Sequence, residues 1–187
     1  MLSEVIAAAM YNSVHYDIDE LFYKATHDEM TGLSNRALFM DRLRNTLSQG
    51  AREHRVLGVL VIDMDGLKRI NDAFGHRAGD AVLVEFAHRI KIATRSSDTV
   101  ARLGGDEFGV LLSPVQQPED VEVAVRRIAR EIQVPFDFEA QRYELRASIG
   151  SAISSVDGYE MAALLEVADQ RMYEVKRQRN DRSLLPA

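Results

Sequence analysis

The segment Ala101 to Leu112, ARLGGDEFGVLL, sets two glycines between an arginine and two adjacent acids, with apolar residues on both sides. Gly104 and Gly105 can take the positive φ values that a tight hairpin turn requires. A turn alone does not account for Asp106 and Glu107, because neighbouring carboxylates repel unless a cation offsets them. Glycines also lack Cβ atoms, so a flat ligand could lie against such a turn. A second acid pair closes an apolar run in VLVIDMDGLKRINDAFGHRAGD. Asp63 and Asp65 are two residues apart and share a face if the strand continues. An apolar strand has no structural need for an acid at its end. Oxygen-only ligands suit magnesium, which usually arrives with phosphates. If the glycine hairpin pairs beside the strand ending at Asp63, three acids converge. Two divalent ions could then clamp a triphosphate between them.

Each of these residues also has a plain structural reading. Asp65 can cap the helix that begins at GLKR. Asp63 can simply end a strand, Asn71-Asp72 can be helix surface, and Asp80 can cap a helix after Gly79. On the functional reading, the helix start offers free N–H groups to phosphate. Gly66 permits close backbone approach, Lys68 adds positive charge, and Asn71 and Asp80 could read a base edge.

The elements that must position these residues emerge from pattern. HRVLGVLVID (54–63) is an unbroken apolar run, expected as a strand buried on both faces. HDEMTGLSNRALFMDRLRNTLSQG reads as a turn and a helix, with Ser34 or Asn35 as cap and Gly50 closing it. LKRINDAF is a short helix ended by Gly75, and DAVLVEFAHRIKIAT a longer amphipathic one. DTVARL and EFGVLL form the glycine hairpin. PEDVEVAVRRIAREI is a helix with Pro118 near its start. VPFDFEAQRYELRASIGSAI reads as two strands and EMAALLEVADQRMYEVKRQR as the last helix. Setting aside the first helix and one short strand leaves β-α-β-β-α-β, the ferredoxin-like arrangement of an α+β sandwich. Before this core, Ala7, Tyr11, Val14, Ile18, Leu21 and Ala25 keep a four-three heptad spacing. That leader is either a helix packed on its own domain or a dimerising signalling helix. The final residues, NDRSLLPA, are expected to form a loose tail.

The bulk composition narrows the partners. The chain has 187 residues, enough for one domain and a modest extension. A net charge of −6 gives no basic surface for nucleic acid or an anionic membrane. No apolar run approaches the roughly 20 residues of a membrane span. The absence of cysteine rules out thiol catalysis and cysteine zinc sites and permits a cytoplasmic location.

RLGGDEF resembles the signature of the GGDEF diguanylate cyclases, which condense two GTP into cyclic di-GMP. The resemblance runs from about Asp28 to Asn180. DEMTGLSNRALF is similar to the opening of that domain, and DMDGLKRINDAFGHRAGD to its acid-bearing strand and helical hairpin. ASIGSA and ADQRMYEVK are similar to its late strand and last helix. The resemblance implies an antiparallel nucleotide-cyclase sheet flanked by helices, with a leader helix at 1–25, the cyclase domain at 26–180 and a tail at 181–187. It implies two magnesium or manganese ions held by Asp63, the Met64 carbonyl, Asp106 and Glu107. Asp106 or Glu107 would help deprotonate the attacking 3′-hydroxyl. Gly104 and Gly105 would face the guanosine, and Asn71 and Asp80 would pair with the guanine edge. Lys68, the backbone at Gly66-Leu67 and Lys176 would hold the phosphates. Since each domain holds one GTP, a homodimer is implied for catalysis.

RSSD (Arg95 to Asp98) stands where the family has its inhibitory cyclic di-GMP site, to which Arg126 could add a contact. Two departures are visible. Leu67 replaces the usual phenylalanine. KRQRN lacks the glycine before the family's phosphate-binding arginine, so Arg177 or Arg179 would have to substitute. The alternative classes are a GGDEF domain that only binds GTP or cyclic di-GMP, and a ferredoxin-like interaction domain without nucleotide.

Overall fold

A computed structural model describes residues 20–183. A helical stretch at 20–26 leads into a turn. Next come α1 (Arg36–Glu53), β1 (Val56–Met64), α2 (Leu67–Phe74), α3 (His76–Ile92), β2 (Thr99–Gly104) and β3 (Glu107–Val115). The chain continues through α4 (Glu119–Ile132), β4 (Phe136–Phe138), β5 (Gln141–Tyr143), β6 (Ala147–Ile153), α5 (Ser154–Asp157) and α6 (Met161–Ser183).

The main sheet has the order β2-β3-β1-β6, with every pairing antiparallel. Without β4 and β5, this is the expected ferredoxin-like β-α-β-β-α-β core. The unbroken apolar run of β1 arises from central position rather than from parallel pairing. Leu60, Ile62 and Met64 pack on α3 and α4 with Phe86, Ile90, Phe108 and Ile128. Leu57, Val59 and Val61 pack on α1 and α6 with Phe39, Leu43, Leu164, Ala168 and Met172. Helices on both faces leave no polar position along the strand until its end.

Four expectations change in detail. Gly50 does not close α1, which continues to Glu53 and ends at His54 in the left-handed region (φ 54°). Gly50 instead allows close packing, since a Cβ there would stand 3.1 Å from the Arg55 carbonyl oxygen. Residues 134–153 give three strands rather than two, because positive φ at Glu139 and Ala140 turns β4 back on β5. α3 begins at His76, four residues before Asp80, so Asp80 is an exposed helical residue and caps nothing. α6 extends through Ser183, into the segment expected as tail.

Of the heptad positions, Leu21 and Ala25 fall in the helical stretch and are exposed. Ala7, Tyr11, Val14 and Ile18 lie outside the described residues. Among the described residues, no helix is long and apolar enough to cross a membrane.

Candidate active site

Alternation along β1 decides which way its acids point. Leu57, Val59 and Val61 face α1 and α6, so Asp63 at the same parity faces them too. β3 lies directly beside it, with Asp63 opposite Glu107 in register. Glu107 shares parity with Leu111, which belongs to the same apolar layer. The hairpin tip is fastened to β1, for Met64 N donates to the Asp106 carbonyl oxygen at 3.0 Å. The expected convergence of Asp63, Asp106 and Glu107 at one sheet end is therefore present. Met64 has its side chain fully buried, so only its backbone can serve that end.

The turn uses the glycines one step differently from the expectation. Gly104 is the last residue of β2 and pairs with Glu107, leaving Gly105 and Asp106 as the two-residue loop. Positive φ falls on Gly104 (148°) and Gly105 (52°) and not on Asp106. The glycines absorb the left-handed backbone, and the acid keeps an ordinary one.

α6 reaches this end because of Gly150. A Cβ there would stand 2.0 Å from the Ala168 carbonyl oxygen and 2.2 Å from Met172 N, so the helix backbone lies directly on β6. Ala168, Met172 and Lys176 succeed one another at four-residue spacing along that contact ridge. Lys176 Nζ then donates to Asp63 Oδ1 at 2.8 Å. One helical step further, Arg179 Nη1 donates to Asp65 Oδ2 at 3.0 Å and to the Ala147 carbonyl. Ser148 Oγ donates to the other Asp65 oxygen at 2.9 Å. Asp65 is thus neither a helix cap nor idle, since Gly66 holds the N-cap position of α2 without a side-chain bond.

The electrostatics are unbalanced toward negative charge. Burial pushes the Asp63 carboxyl above the ordinary aspartate value, and the charges of Asp106 and Asp65 add to that; Lys176 opposes the rise without cancelling it. For Lys176, burial works against the ammonium, but Asp63, Asp106 and Asp65 outweigh it and raise its pKa. The cation is satisfied by the pair and the acid is not, because Asp63 is more buried and has like-charged neighbours. An oxygen-only cluster with surplus negative charge fits a hard divalent ion. Among the described residues, no three acidic or histidine side chains yet stand in coordinating geometry. Lys176 and Arg179 occupy oxygens of Asp63 and Asp65 instead.

The other expected positions flank this end. Gly66 opens α2 at φ 86° beside Leu67 and an exposed Lys68. Arg69, missed in the sequence, lies over Gly66, where a Cβ would come within 3.1 Å of its Nη2. Asn71 rests against α3, where a Cβ on Gly79 would stand 1.9 Å from Asn71 Oδ1. That places the carboxamide one residue from Asp80.

A brace crosses from the opening turn to the hairpin. Arg102 donates through Nε and Nη2 to the Gly105 carbonyl at 3.0 and 2.9 Å, and through Nη1 to Asp28 at 3.3 Å. Asp28 also accepts from Thr31 N and Oγ1. Burial opposes the Asp28 charge, but the bonds from Thr31 and Arg102 hold its carboxyl below the ordinary value. No local pattern announced this contact between residues 74 positions apart.

Arg95 and Asp98 form a closed turn away from the acids. Asp98 is buried and accepts from Arg95 N at 2.8 Å, while Asp98 N donates to the Arg95 carbonyl at 3.0 Å. They line a cleft with Leu112, Asp120 and Arg127. Arg126 does not face it: its guanidinium pairs with Glu122 on the exposed side of α4. The α4 face holding Ala124 and Ile128 packs inward, which carries Arg127 rather than Arg126 to the cleft.

A ferredoxin-like antiparallel sheet with acids at a central strand end, and a glycine hairpin fastened beside them, defines a nucleotide-cyclase core. The model of the family described as "Diguanylate cyclase, GGDEF domain" matches residues 25–182. The chain belongs to the GGDEF diguanylate cyclase family. It is 42% identical over 159 residues to MucR of Pseudomonas aeruginosa, a bifunctional diguanylate cyclase/cyclic di-GMP phosphodiesterase, covering 85% of this chain and 23% of MucR. To the diguanylate cyclase TpbB of the same species it is 45% identical over 160 residues, 84% of this chain and 37% of TpbB. The chain thus spans well under half of these relatives. The solved GGDEF domain of TpbB superposes with a TM-score of 0.79 at 43% identity, covering 81% of this chain and 89% of that one. The GGDEF domain of DgcB from Caulobacter crescentus, solved in complex with c-di-GMP, gives 0.76 at 26% identity, covering 82% and 91%.

Proposed function

We infer that this chain is an active diguanylate cyclase domain, condensing two GTP into cyclic di-GMP with release of pyrophosphate. The observation that carries this reading is the hairpin tip hydrogen-bonded to the end of β1, with Glu107 opposite Asp63 and Lys176 closing the cluster. Asp63, the Met64 carbonyl, Asp106 and Glu107 would hold one or two divalent ions, magnesium or manganese. Bound there, such ions polarise phosphoryl oxygens and offset charge on the leaving pyrophosphate.

The chain's own groups do the remaining work. Gly66, Leu67 and the start of α2 offer backbone N–H groups to phosphate, joined by Lys68 and Lys176. Asn71 and Asp80 hold the guanine edge. An acceptor at Asp80 suits the N1–H and amine of guanine and is wrong for adenine, which favours GTP over ATP. Gly104 and Gly105 leave room against the guanosine. A carboxylate of Asp106 or Glu107 takes the proton of the attacking 3′-hydroxyl as its oxygen displaces pyrophosphate from the α-phosphorus of the second GTP. Each domain holds one GTP, so two domains must meet face to face, and the leader helix would govern that meeting. Product returning to Arg95 and Asp98, with Arg127 in place of Arg126, would slow the enzyme. GTP supply places the reaction in the cytoplasm.

The test is incubation with GTP and magnesium at high protein concentration, with a phosphodiesterase present to remove product and with mass-spectrometric detection. Cyclic di-GMP or its cleavage product from the wild type, and none from Glu107→Ala, is the expected result. Tight GTP binding without turnover would instead support a receptor role, and no binding at all a plain interaction domain.

A further inference from the structure

The two residues read as holding the guanine edge stand on different helices, Asn71 on α2 and Asp80 on α3. Both can meet one base only if the helices keep a fixed relation. α2 is poorly equipped to keep it alone. It is one of the shortest helices of the fold and none of its residues is buried, so its place depends on what packs around it. One restraint comes from α3, because the Asn71 carboxamide rests on Gly79, where a Cβ would stand 1.9 Å from its Oδ1. That contact does not reach the end of α2 at Phe74, whose ring is 51% exposed.

The β4–β5 hairpin supplies a second restraint. Its lead-in is fixed at the far end of α3, where the buried Arg89 donates to the carbonyls of Ile132 at 2.9 Å, of Val134, and of Pro135 at 3.4 Å. Its turn meets the near end of α3, where Arg77 Nη2 stands 2.6 Å from Glu139 Oε1. The hairpin therefore runs along α3 for about 18 Å. Between these points Tyr143, buried and opposite Phe136 in register, reaches across to α2. Its ring meets Phe74 edge to face, with centroids 5.5 Å apart and planes at 81°. Phe74 shares the last turn of α2 with Asn71, whose carbonyl accepts from Gly75 N at 2.9 Å. Fixed to α3 and touching α2, the hairpin ties both readers to one frame.

We propose that the β4–β5 hairpin is a clamp for base recognition, in which Tyr143 and Phe74 are positioning residues that align Asn71 with Asp80. The inference rests on the guanine role given to those two residues above. The rings act through Asn71 and not on the nucleotide itself. The Arg77–Glu139 pair, 85% and 54% exposed, adds little to the ring contact. The distinguishing consequence is a split between the two ends of the nucleotide. Loosening the clamp harms contacts to the base and spares contacts to the phosphates, which are assigned to the opposite end of α2 and to Lys176.

The experiment uses the whole chain with saturating Mg2+. Calorimetry measures the affinity for a non-hydrolysable GTP analogue, for its inosine counterpart and for inorganic triphosphate. Inosine lacks the 2-amino group that Asp80 would accept from, and triphosphate lacks the base. Phe74→Ala should bind the GTP analogue roughly fivefold weaker and narrow the preference for guanine over inosine roughly threefold. Its triphosphate affinity should stay at the wild-type value. Phe74→Leu keeps apolar bulk without the ring, so it should fall between the two, and it serves if the alanine form folds poorly. Tyr143→Phe retains the ring and should match the wild type with every probe. Arg77→Gln should change each affinity by less than about twofold. An equal loss across all the probes would make Phe74 merely structural and overturn the proposal. So would a larger loss from Arg77→Gln than from Phe74→Ala. Wild-type protein that binds no nucleotide, or binds without preferring guanine, would remove the reading of Asn71 and Asp80 and the clamp with it. A wild-type preference that survives intact in Phe74→Ala would remove the clamp alone.

Discussion

The acid end of β1 and the Arg95–Asp98 turn are both charged, and they are built in opposite ways. At the acid end, carboxylates crowd and burial lifts the Asp63 pKa, so the charges are held together by cations that belong to a different element. At the Arg95–Asp98 turn, the buried carboxylate is satisfied locally by the backbone of its own turn. Asp98 shapes the turn, and the Arg95 side chain is exposed. The first region stores electrostatic tension that a ligand can relieve, and the second presents a finished contact. On the proposed reading, the former would be the substrate site and the latter the site of product feedback.

Four measurements would break or sharpen this contrast, from the largest expected effect to the smallest. Glu107→Ala should lower cyclic di-GMP formation by roughly a hundredfold or more while leaving the melting temperature within a few degrees. A parallel collapse of stability would show that the acid end is structural instead. Gly150→Val forces a side chain into the α6 backbone, 2.0 Å from the Ala168 carbonyl. It should cost about 3 kcal/mol in urea unfolding and lower turnover by less than the Glu107 change, since Lys176 loses its approach. Arg95→Ala should raise the product inhibition constant roughly tenfold or more, as expected for a lost charge-assisted contact. An inhibition constant unchanged in that variant would remove the turn from the product site.

The fourth concerns pH. Asp28 and Asp157 both have folded pKa values below the ordinary aspartate value: burial opposes the shift, and Thr31 with Arg102, or Arg171 with Ile153 N, outweighs it. A depressed folded pKa gives stability that is present above the unfolded value and lost as pH falls through the folded one. Asp63 is the opposite case. Its raised value favours the protonated acid in the fold, a contribution present at low pH and lost as pH rises through the folded value. Chemical unfolding should therefore show a small loss on acidification below the ordinary carboxylate range, and Asp28→Asn should reduce it. The same substitution in place of Asp63 should not.

In the signature turn, local sequence and tertiary pairing each settle a part. GG announced positive φ, and both glycines have it, yet the loop pair proved to be Gly105-Asp106 because Gly104 still pairs with Glu107. The face shared by Asp63 and Asp65 was legible in period-two alternation. What takes those acids was not, since Lys176 and Arg179 lie more than a hundred residues away. Arg126 and Arg127 are adjacent and chemically alike, and only the burial of Ala124 and Ile128 decides which one faces the cleft. Asp80 reads plausibly as a cap in the sequence, but α3 starts at His76. Arg69 gave no local signal, because a lone arginine in a polar stretch looks the same whether it is solvated or bridging; Arg102 stood out in the signature, but its reach to Asp28 did not.

By itself the sequence determined most of the element types and the ferredoxin-like order, because turns, caps and alternation are short-range effects of backbone sterics and apolar burial. Only the tertiary structure decided which charges neutralise which. Those choices depend on how closely α6 can press on β6 at Gly150 and on how β1 is flanked. Both are set by packing between segments that the chain keeps far apart.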